Sequence, residues 1–328
     1  MITLTIAGVA AAARTTAARR ASLPLAVAAA IAAPWVLDAY TISLGSYAIV
    51  LGLVAVSALL LTDVAGLPTL GQGAYLAIGG YTAATLSRTV TSNGPLQLLA
   101  ATAAAATAAA AVGVFATRTR GTTFLLTTVA VGVLTQAVAS RATSITGGDA
   151  GRSVDPITIW PATAPVTRHG YLYLYALACA LAVGGALALL LRSRFGLTLR
   201  GIAAAEARVQ ANGVATGRYV LLVYVIAAAV AGAAGAVLIA VRHTIGPSDG
   251  GFIVSALALL AALVTTRTMT GAMLGAAVIV AVRDLVAPAL LAGHANILLG
   301  ALFLAAAAGR SIARRARLAA DPSTGGFP

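Results

Sequence analysis

Most of the side chains able to do chemistry fall in two short stretches. The first runs from Arg192-Ser-Arg-Phe-Gly through Arg200-Gly-Ile-Ala-Ala-Ala-Glu206 to Asn212-Gly213 and Arg218-Tyr219. It holds five of the 21 arginines and the only glutamate of the chain. Ile202, Val209 and the alanines between them give a short helix a small apolar face, with Glu206 on it and Arg200 and Arg208 close in sequence. Asn212-Gly213 is a helix stop, because both residues tolerate the left-handed conformation. A basic helix with one carboxylate and a defined end suits docking against a partner. An ordinary solvated basic loop is the other reading of the same residues.

The second stretch opens Gly66-Leu-Pro-Thr-Leu-Gly-Gln-Gly-Ala-Tyr75 and continues to Gly79-Gly-Tyr-Thr82. Glycines this dense, with Pro68 among them, make a poor continuous helix in water. Inside a bundle, a broken helix exposes amides and carbonyls to a pathway. Thr69, Gln72, Gly73, Tyr75 and Thr82 are the residues able to line it. Close helix packing through small residues explains the same glycines without any path.

What is missing narrows the chemistry further. All 21 basic residues are arginine. Without lysine there is no standard phosphate-binding P-loop, and Schiff-base chemistry is excluded. Cys179 is the only cysteine and stands in an apolar run, so neither a disulfide framework nor a thiolate metal cluster is expected. His169, His243 and His294 are far apart, and no HExxH pattern occurs. No catalytic, cofactor-binding or metal-ligating set is therefore expected in this chain. Asp38, Asp63, Asp249 and Asp284 fall at the ends of apolar runs, with no acid in mid-run. Ion-coupled carriers place such groups near the midplane, so this distribution argues against one.

The elements that must hold both stretches are membrane helices. The chain is 60% hydrophobic and 9% charged with a mean hydropathy of +0.97, whereas soluble domains carry about 25% charged residues. A span needs roughly 20 apolar residues. Candidates lie near 23–37, 41–61, 68–87, 95–116, 121–140, 171–191, 219–241, 251–266, 270–288 and 293–309. The first carries Pro24 and Pro34, and the pair flanking Thr265–Thr270 also fits a re-entrant hairpin, so eight or nine spans remain open. Ala100–Ala111 reads as a helix packed closely through small side chains. With the N-terminus inside, inside segments hold 15 arginines and outside segments six. The net charge of +13 is thus topological, and nucleic acid is not an expected partner.

The expected fold is an all-α polytopic bundle of about ten spans with both termini cytoplasmic. Residues 1–22 form a cytoplasmic segment, 23–309 the membrane domain and 310–328 a basic tail that ends polar and disordered. Within the domain, 141–170 is the longest outside loop and 192–218 the long cytoplasmic one. Arg19-Arg20 before a short apolar run also resembles a signal peptide, whose removal would leave nine spans. An uncleaved first span is the favoured reading, since Asp38 suits a tight external hairpin.

The residues of 192–219 resemble the coupling loop of ABC importer permeases. The nearest likeness is to the branched-chain amino acid (Leu/Ile/Val) permease family, which also includes urea and short-amide importers. Leu70-Gly-Gln-Gly-Ala-Tyr and Gly79-Gly-Tyr-Thr-Ala-Ala resemble that family's glycine-rich early motif. Arg120-Gly-Thr-Thr-Phe, followed by Thr143-Ser-Ile-Thr-Gly-Gly-Asp-Ala-Gly, resembles its central block. The likeness spans about residues 40–290, with the motifs in the family's order. It implies a bacterial-type inner-membrane permease that pairs with a second, identical or homologous permease. It also implies two cytoplasmic ATPase subunits, which use ATP and Mg, and an extracytoplasmic solute-binding protein. By position, Arg200, Ile202, Glu206, Val209, Gly213 and Arg218 would lie in the coupling element seated on an ATPase. Two departures stand out. Val264-Thr-Thr-Arg-Thr268 replaces a flexible glycine-rich stretch before Gly271, and Arg208 stands where an acidic or small residue is usual. The alternative from another class is a carrier or channel that works without an ATPase.

Overall fold

The computed structural model describes residues 27–158, 166, 168–264 and 268–286, together with positions 300, 301, 304 and 308. Its helices are α1 (Val27–Val36), α2 (Ala39–Leu59), α3 (Gln72–Thr89), α4 (Gly94–Ala116), α5 (Gly121–Arg141), the single turn α6 (Thr143–Thr146), α7 (His169–Arg192), α8 (Arg194–Ala211), α9 (Thr216–Arg242), α10 (Phe252–Val264) and α11 (Met269–Ala281). Wider π-type turns extend α2 through Leu60–Val64 and α11 through Val282–Val286. Among the described residues the only sheet is a two-residue antiparallel pair, β1 (Arg152–Ser153) on β2 (Thr244–Ile245).

Among the described residues, six helices are long and apolar enough to cross a membrane: Ala39–Val64, Gly94–Ala116, Gly121–Arg141, His169–Arg192, Thr216–Arg242 and Met269–Val286. This is fewer than the ten expected from apolar runs, for physical reasons that differ by segment. Helices α1 and α10 are apolar but short. Helix α3 has 18 residues, yet its glycines, threonines and Gln72 dilute its hydropathy. Most of the candidate at 293–309 and the first residues of 23–37 lie outside the described residues, as do Thr265–Arg267 and the whole tail 310–328.

Helices α2 and α9 form the centre and are buried over most of their length. Lipid supplies little hydrophobic drive between spans, so association depends on van der Waals contact between backbones that can come close. The sequence meets that need with small residues. On α4 the buried positions Gln97, Ala101, Ala105, Ala109 and Gly113 recur every fourth residue. A methyl built on Gly232 of α9 would lie 2.3 Å from Ala105 Cβ, and one on Gly79 of α3 would lie 2.3 Å from Gly232 O. Three helices therefore meet through Gly79, Gly232 and Ala105 at a separation no larger residue permits.

The connections sort into two ends. At one end, the chain after α2 passes α8, with the Cβ position of Gly66 3.6 Å from Ala203 Cβ, and Arg120 before α5 reaches Glu206 of α8. At the other, Tyr40 Oη donates to Asp284 O (3.4 Å), Arg242 pairs with Asp249 (2.9 Å), and Gly94 N donates to Thr158 O (2.9 Å). Arg118, Arg120 and the 192–218 segment thus share one end, while Arg88, Arg152, Arg242 and Arg283 share the other.

Candidate functional site

Helix α8 lies outside the six apolar spans and is held by one face. Ser193 caps it, its Oγ accepting from Phe195 N (3.3 Å). Phe195 stacks on Tyr219 at 5.7 Å, and Leu199 and Ile202 are buried. The helix is kinked at Ala205, whose backbone (φ −160°, ψ 82°) is extended. It ends at Asn212, and Gly213 takes the left-handed conformation with φ +79°.

The kink turns Glu206 toward the body of the protein. Its carboxylate accepts two hydrogen bonds from Arg120, from Nη2 to Oε1 (2.9 Å) and from Nε to Oε2 (3.2 Å). Thr216 Oγ1 donates a third to Oε1 (3.2 Å) and itself accepts from Gln210 Nε2 (2.9 Å). Arg120 also holds Thr117 O and Thr119 O. The Arg120 guanidinium keeps the Glu206 carboxyl below its ordinary range, against the opposing effect of partial burial. One side chain therefore fastens α8 to the starts of both α5 and α9. Arg200 and Arg208, the neighbours in sequence, are exposed instead.

The residues singled out around the first stretch divide by direction. Ile202 is buried and Val209 packs on the core, so both hold α8 down. Arg200, Gly213 and Arg218 are exposed, as is Arg208. The outward surface of α8 thus carries arginines and small residues, with Leu197 exposed among them.

The second stretch is a helix start inside the bundle. Residues 65–71 are irregular, and α3 begins at Gln72 beside Ser57 of α2, whose Oγ donates to Gln72 Oε1 (3.2 Å). Ser57 lies seven residues from Val64, so α3 starts about 10 Å in from the α8 end. Helix α10 starts against it, because β2 and the turn Pro247–Gly250 dip into the bundle before Phe252. Gly73 N donates to Ser255 Oγ (2.9 Å), and a methyl on Gly73 would meet Gly251 O at 2.9 Å. Thr69 is buried, its Oγ1 accepting from Gly71 N (3.3 Å). Tyr75 Oη and Tyr224 Oη share a hydrogen bond of 2.7 Å. Gln72 is 1% exposed, and its Nε2 has no hydrogen-bond partner. A buried amide left half satisfied costs stability.

Two openings lie further along α3. Between α2, α3 and α9, a void of about 10 Å³ is lined by Tyr47, Leu51, Leu76, Leu238, Asp249 and Val254. It holds at most one water. Arg242 and Arg283 stand over the Tyr47 ring at 5.8 Å and 5.0 Å. Between α3 and α5, a groove of about 450 Å³ is lined by Tyr81, Thr82, Thr85, Thr135 and Thr146. Thr82 therefore faces open space, apart from Thr69, Gln72, Gly73 and Tyr75.

Residues 40–307 match the family described as the branched-chain amino acid transport system / permease component. The chain belongs to that permease family. No curated protein and no solved structure matches it. As a permease with six apolar spans among its described residues, it is a multi-pass membrane protein of a transport family.

Within the permease, sequence reasoning missed Arg120 and Thr216 as the partners of Glu206, and Gln210 as the group that donates to Thr216. A signal for Arg120 was present, since it opens the Arg120-Gly-Thr-Thr-Phe block and was already assigned to the same side as the 192–218 loop. The role of Thr268 also becomes clear. In place of a glycine-rich stretch, its Oγ1 accepts from Gly271 N (3.1 Å) and caps α11.

Proposed function

We propose that the chain is the membrane-spanning subunit of an ABC importer for branched-chain amino acids or a related small polar solute. Separate ATPase subunits, two per assembly, bind ATP and Mg and supply the energy. The observation that carries this reading is α8, an amphipathic, kinked helix outside the spans, with three exposed arginines and a glycine stop. An ATPase seats on Arg200, Arg208, Arg218 and Gly213, while Ile202, Val209 and Glu206 tie the same helix to the permease. In this reading all ten runs cross or enter the membrane and both termini are cytoplasmic, in keeping with the arginine bias and the sorting of connections into two ends. The membrane is a bacterial-type inner membrane.

A second permease, identical or homologous, completes the pore. An extracytoplasmic binding protein delivers solute to the end that carries 141–158. The solute passes the half-satisfied Gln72 and the helix starts at Gly73 and Tyr75, with Thr69 and Thr82 on either side. Half-helix ends offer unpaired backbone dipoles to a polar solute without burying a full charge.

The test is a cysteine cross-link from Ala207, exposed on α8, in an Ala207→Cys, Cys179→Ala chain in native membranes. A specific cross-link to an ATPase subunit, altered by ATP, is expected. Free labelling of that cysteine from the cytoplasm with no ATPase captured would refute the reading and favour an ATP-independent carrier.

A further inference from the structure

Helices α3 and α5 touch where Thr128 O lies 2.7 Å from the Cβ position of Gly71, and they part toward the end that carries 141–158. Between them lies the groove of about 450 Å³, a volume suited to a small ligand. Its walls carry two kinds of surface. Ile78, Leu86, Val138 and Ile145 are apolar, while Thr82, Thr89 and Thr135 bring hydroxyls. Each of these hydroxyls donates to a carbonyl of its own helix: Thr82 Oγ1 to Ile78 O (2.7 Å), Thr89 Oγ1 to Thr85 O (2.9 Å) and Thr135 Oγ1 to Val131 O (2.8 Å). With its hydrogen spent, a hydroxyl has only lone pairs left for a ligand. These oxygens therefore match N–H donors and offer nothing to a carboxylate.

One cation stands at the rim. Arg152 of β1 pairs with Ile245 of β2, and Gly151 beside it, at φ +71°, leaves no room for a side chain against Ile245 O. The Arg152 guanidinium is held against the groove wall, where Nη1 donates to Thr85 Oγ1 (3.3 Å) and to Ile145 O. Both bonds use one nitrogen, and both acceptors are neutral. Arg242 and Arg283 pair with Asp249 and Asp284, but among the described residues no carboxylate pairs with Arg152. Thr85 stands one turn outward of Tyr81 and Thr82, about 5–6 Å along the helix. Tyr81 also lines the groove, is 8% exposed, and its Oη has no partner.

We propose that this groove is a solute-binding site of the permease itself, and that it takes a zwitterionic aliphatic amino acid rather than a neutral amide. The carboxylate goes to the remaining donors of Arg152, the ammonium to Thr82 and Thr135, and the side chain to Ile78, Leu86 and Val138. A lipid acyl chain would cover the apolar wall but leave Tyr81 Oη and the threonine oxygens unmatched. A neutral amide would leave Arg152 without a counter-charge. The permease then reads charge on its own, whatever the binding protein delivers. The choice of ligand rests on the importer reading, whereas the site rests on the groove.

The experiment uses the full chain alone in phosphatidylcholine nanodiscs, with saturation-transfer NMR reading weak binding from the ligand side. Three probes share one aliphatic skeleton: leucine, leucinamide without the carboxylate, and 4-methylpentanoate without the ammonium. Leucine is expected to bind saturably and about tenfold more tightly than either analogue. Arg152→Gln is expected to erase the preference over leucinamide, with Arg152→Lys keeping part of it. Thr135→Val is expected to reduce the preference over 4-methylpentanoate. No saturable binding, equal binding of the three probes, or preferences that survive these substitutions overturn the inference. Uniform weakening of all three probes would make both residues structural and overturn it too. So would a leucine signal abolished by added phosphatidylglycerol, which assigns Arg152 to lipid phosphate. Should Arg152→Gln fail to fold, the probe comparison in the unsubstituted protein decides. Leucine uptake by the complete transporter separates this inference from the importer reading. ATP-driven uptake without binding to the permease defeats the inference alone, whereas selective binding with ATP-independent uptake defeats the importer reading and leaves the site.

Discussion

Replacing Gly235 with alanine tests the packing that positions the whole site. A methyl there would lie 2.1 Å from Leu76 O and 2.6 Å from Gly80 N, both backbone atoms that no rotamer change can move. An ordinary C···O approach is about 3.3 Å or more, so α3 and α9 must part by about 1.2 Å. A gap of that size forfeits close to half of the dispersion along the contact, and overpacking costs about 1–3 kcal/mol or more. With both contacts on backbone the cost stands at the upper end of that range, and the better helix propensity of alanine returns about 1 kcal/mol, leaving a net loss of about 2 kcal/mol. Gly184 of α7 is the matched control. A methyl there meets nothing within 4 Å, so Gly184→Ala gains about 0.5–1 kcal/mol from propensity alone. Heating each variant in detergent and measuring the monodisperse fraction gives an apparent midpoint. Gly235→Ala is expected to fall by about 4–8 °C and Gly184→Ala to hold or rise. A Gly235→Ala protein that melts with the control would refute the account of why α3 and α9 meet.

Three further outcomes follow from the same contacts. The Glu206 carboxyl is held below its ordinary value of 4.5 by Arg120, so its contribution is present above that pH and is lost as pH falls through the lowered value. Hydrogen-exchange protection of α8 should therefore drop only at strongly acid pH, whereas Glu206→Gln should show the low protection at neutral pH; equal protection in both proteins would contradict the bridge. Gly213→Ala forces a side chain onto φ +79° in otherwise open space and costs about 1–2 kcal/mol. Protease cleavage after α8 should quicken, with Gly213→Asn intermediate, and an unchanged rate for both would show that the turn is not built as described. Gln72→Met removes a buried amide nitrogen without a partner and should raise the melting midpoint while lowering solute flux. Lower stability with normal flux would assign Gln72 to packing alone.

Much of the bundle was legible because its signals are local. Apolar runs gave the centres of α2, α4, α5, α7, α9 and α11, and Asn212-Gly213 marked the end of α8 through a backbone preference that needs no tertiary context. Positive-inside counting placed Arg120 and Glu206 at one end, where they now form a bridge. Other features depend on distant partners. Nothing near Glu206 in sequence reveals that Arg120, 86 residues earlier, takes its carboxylate rather than Arg200 or Arg208. The dip of Thr244–Gly250 beside α3 follows from Gly73 and Gly250 fitting against each other, a contact across nearly 180 residues. Hydropathy and depth part company at α3 and α10: both begin inside the bundle, so neither needs a full membrane's length.

The central claim is that solute crosses because a partner ATPase works on this permease. Uptake of radiolabelled leucine into proteoliposomes holding the permease, its ATPases and its binding protein tests that most directly, with short amides as competing solutes. The account expects uptake that requires ATP on the α8 side, survives a proton ionophore and disappears when the ATPase subunits are left out. Uptake that persists without ATP or ATPases and collapses with the ionophore would contradict it.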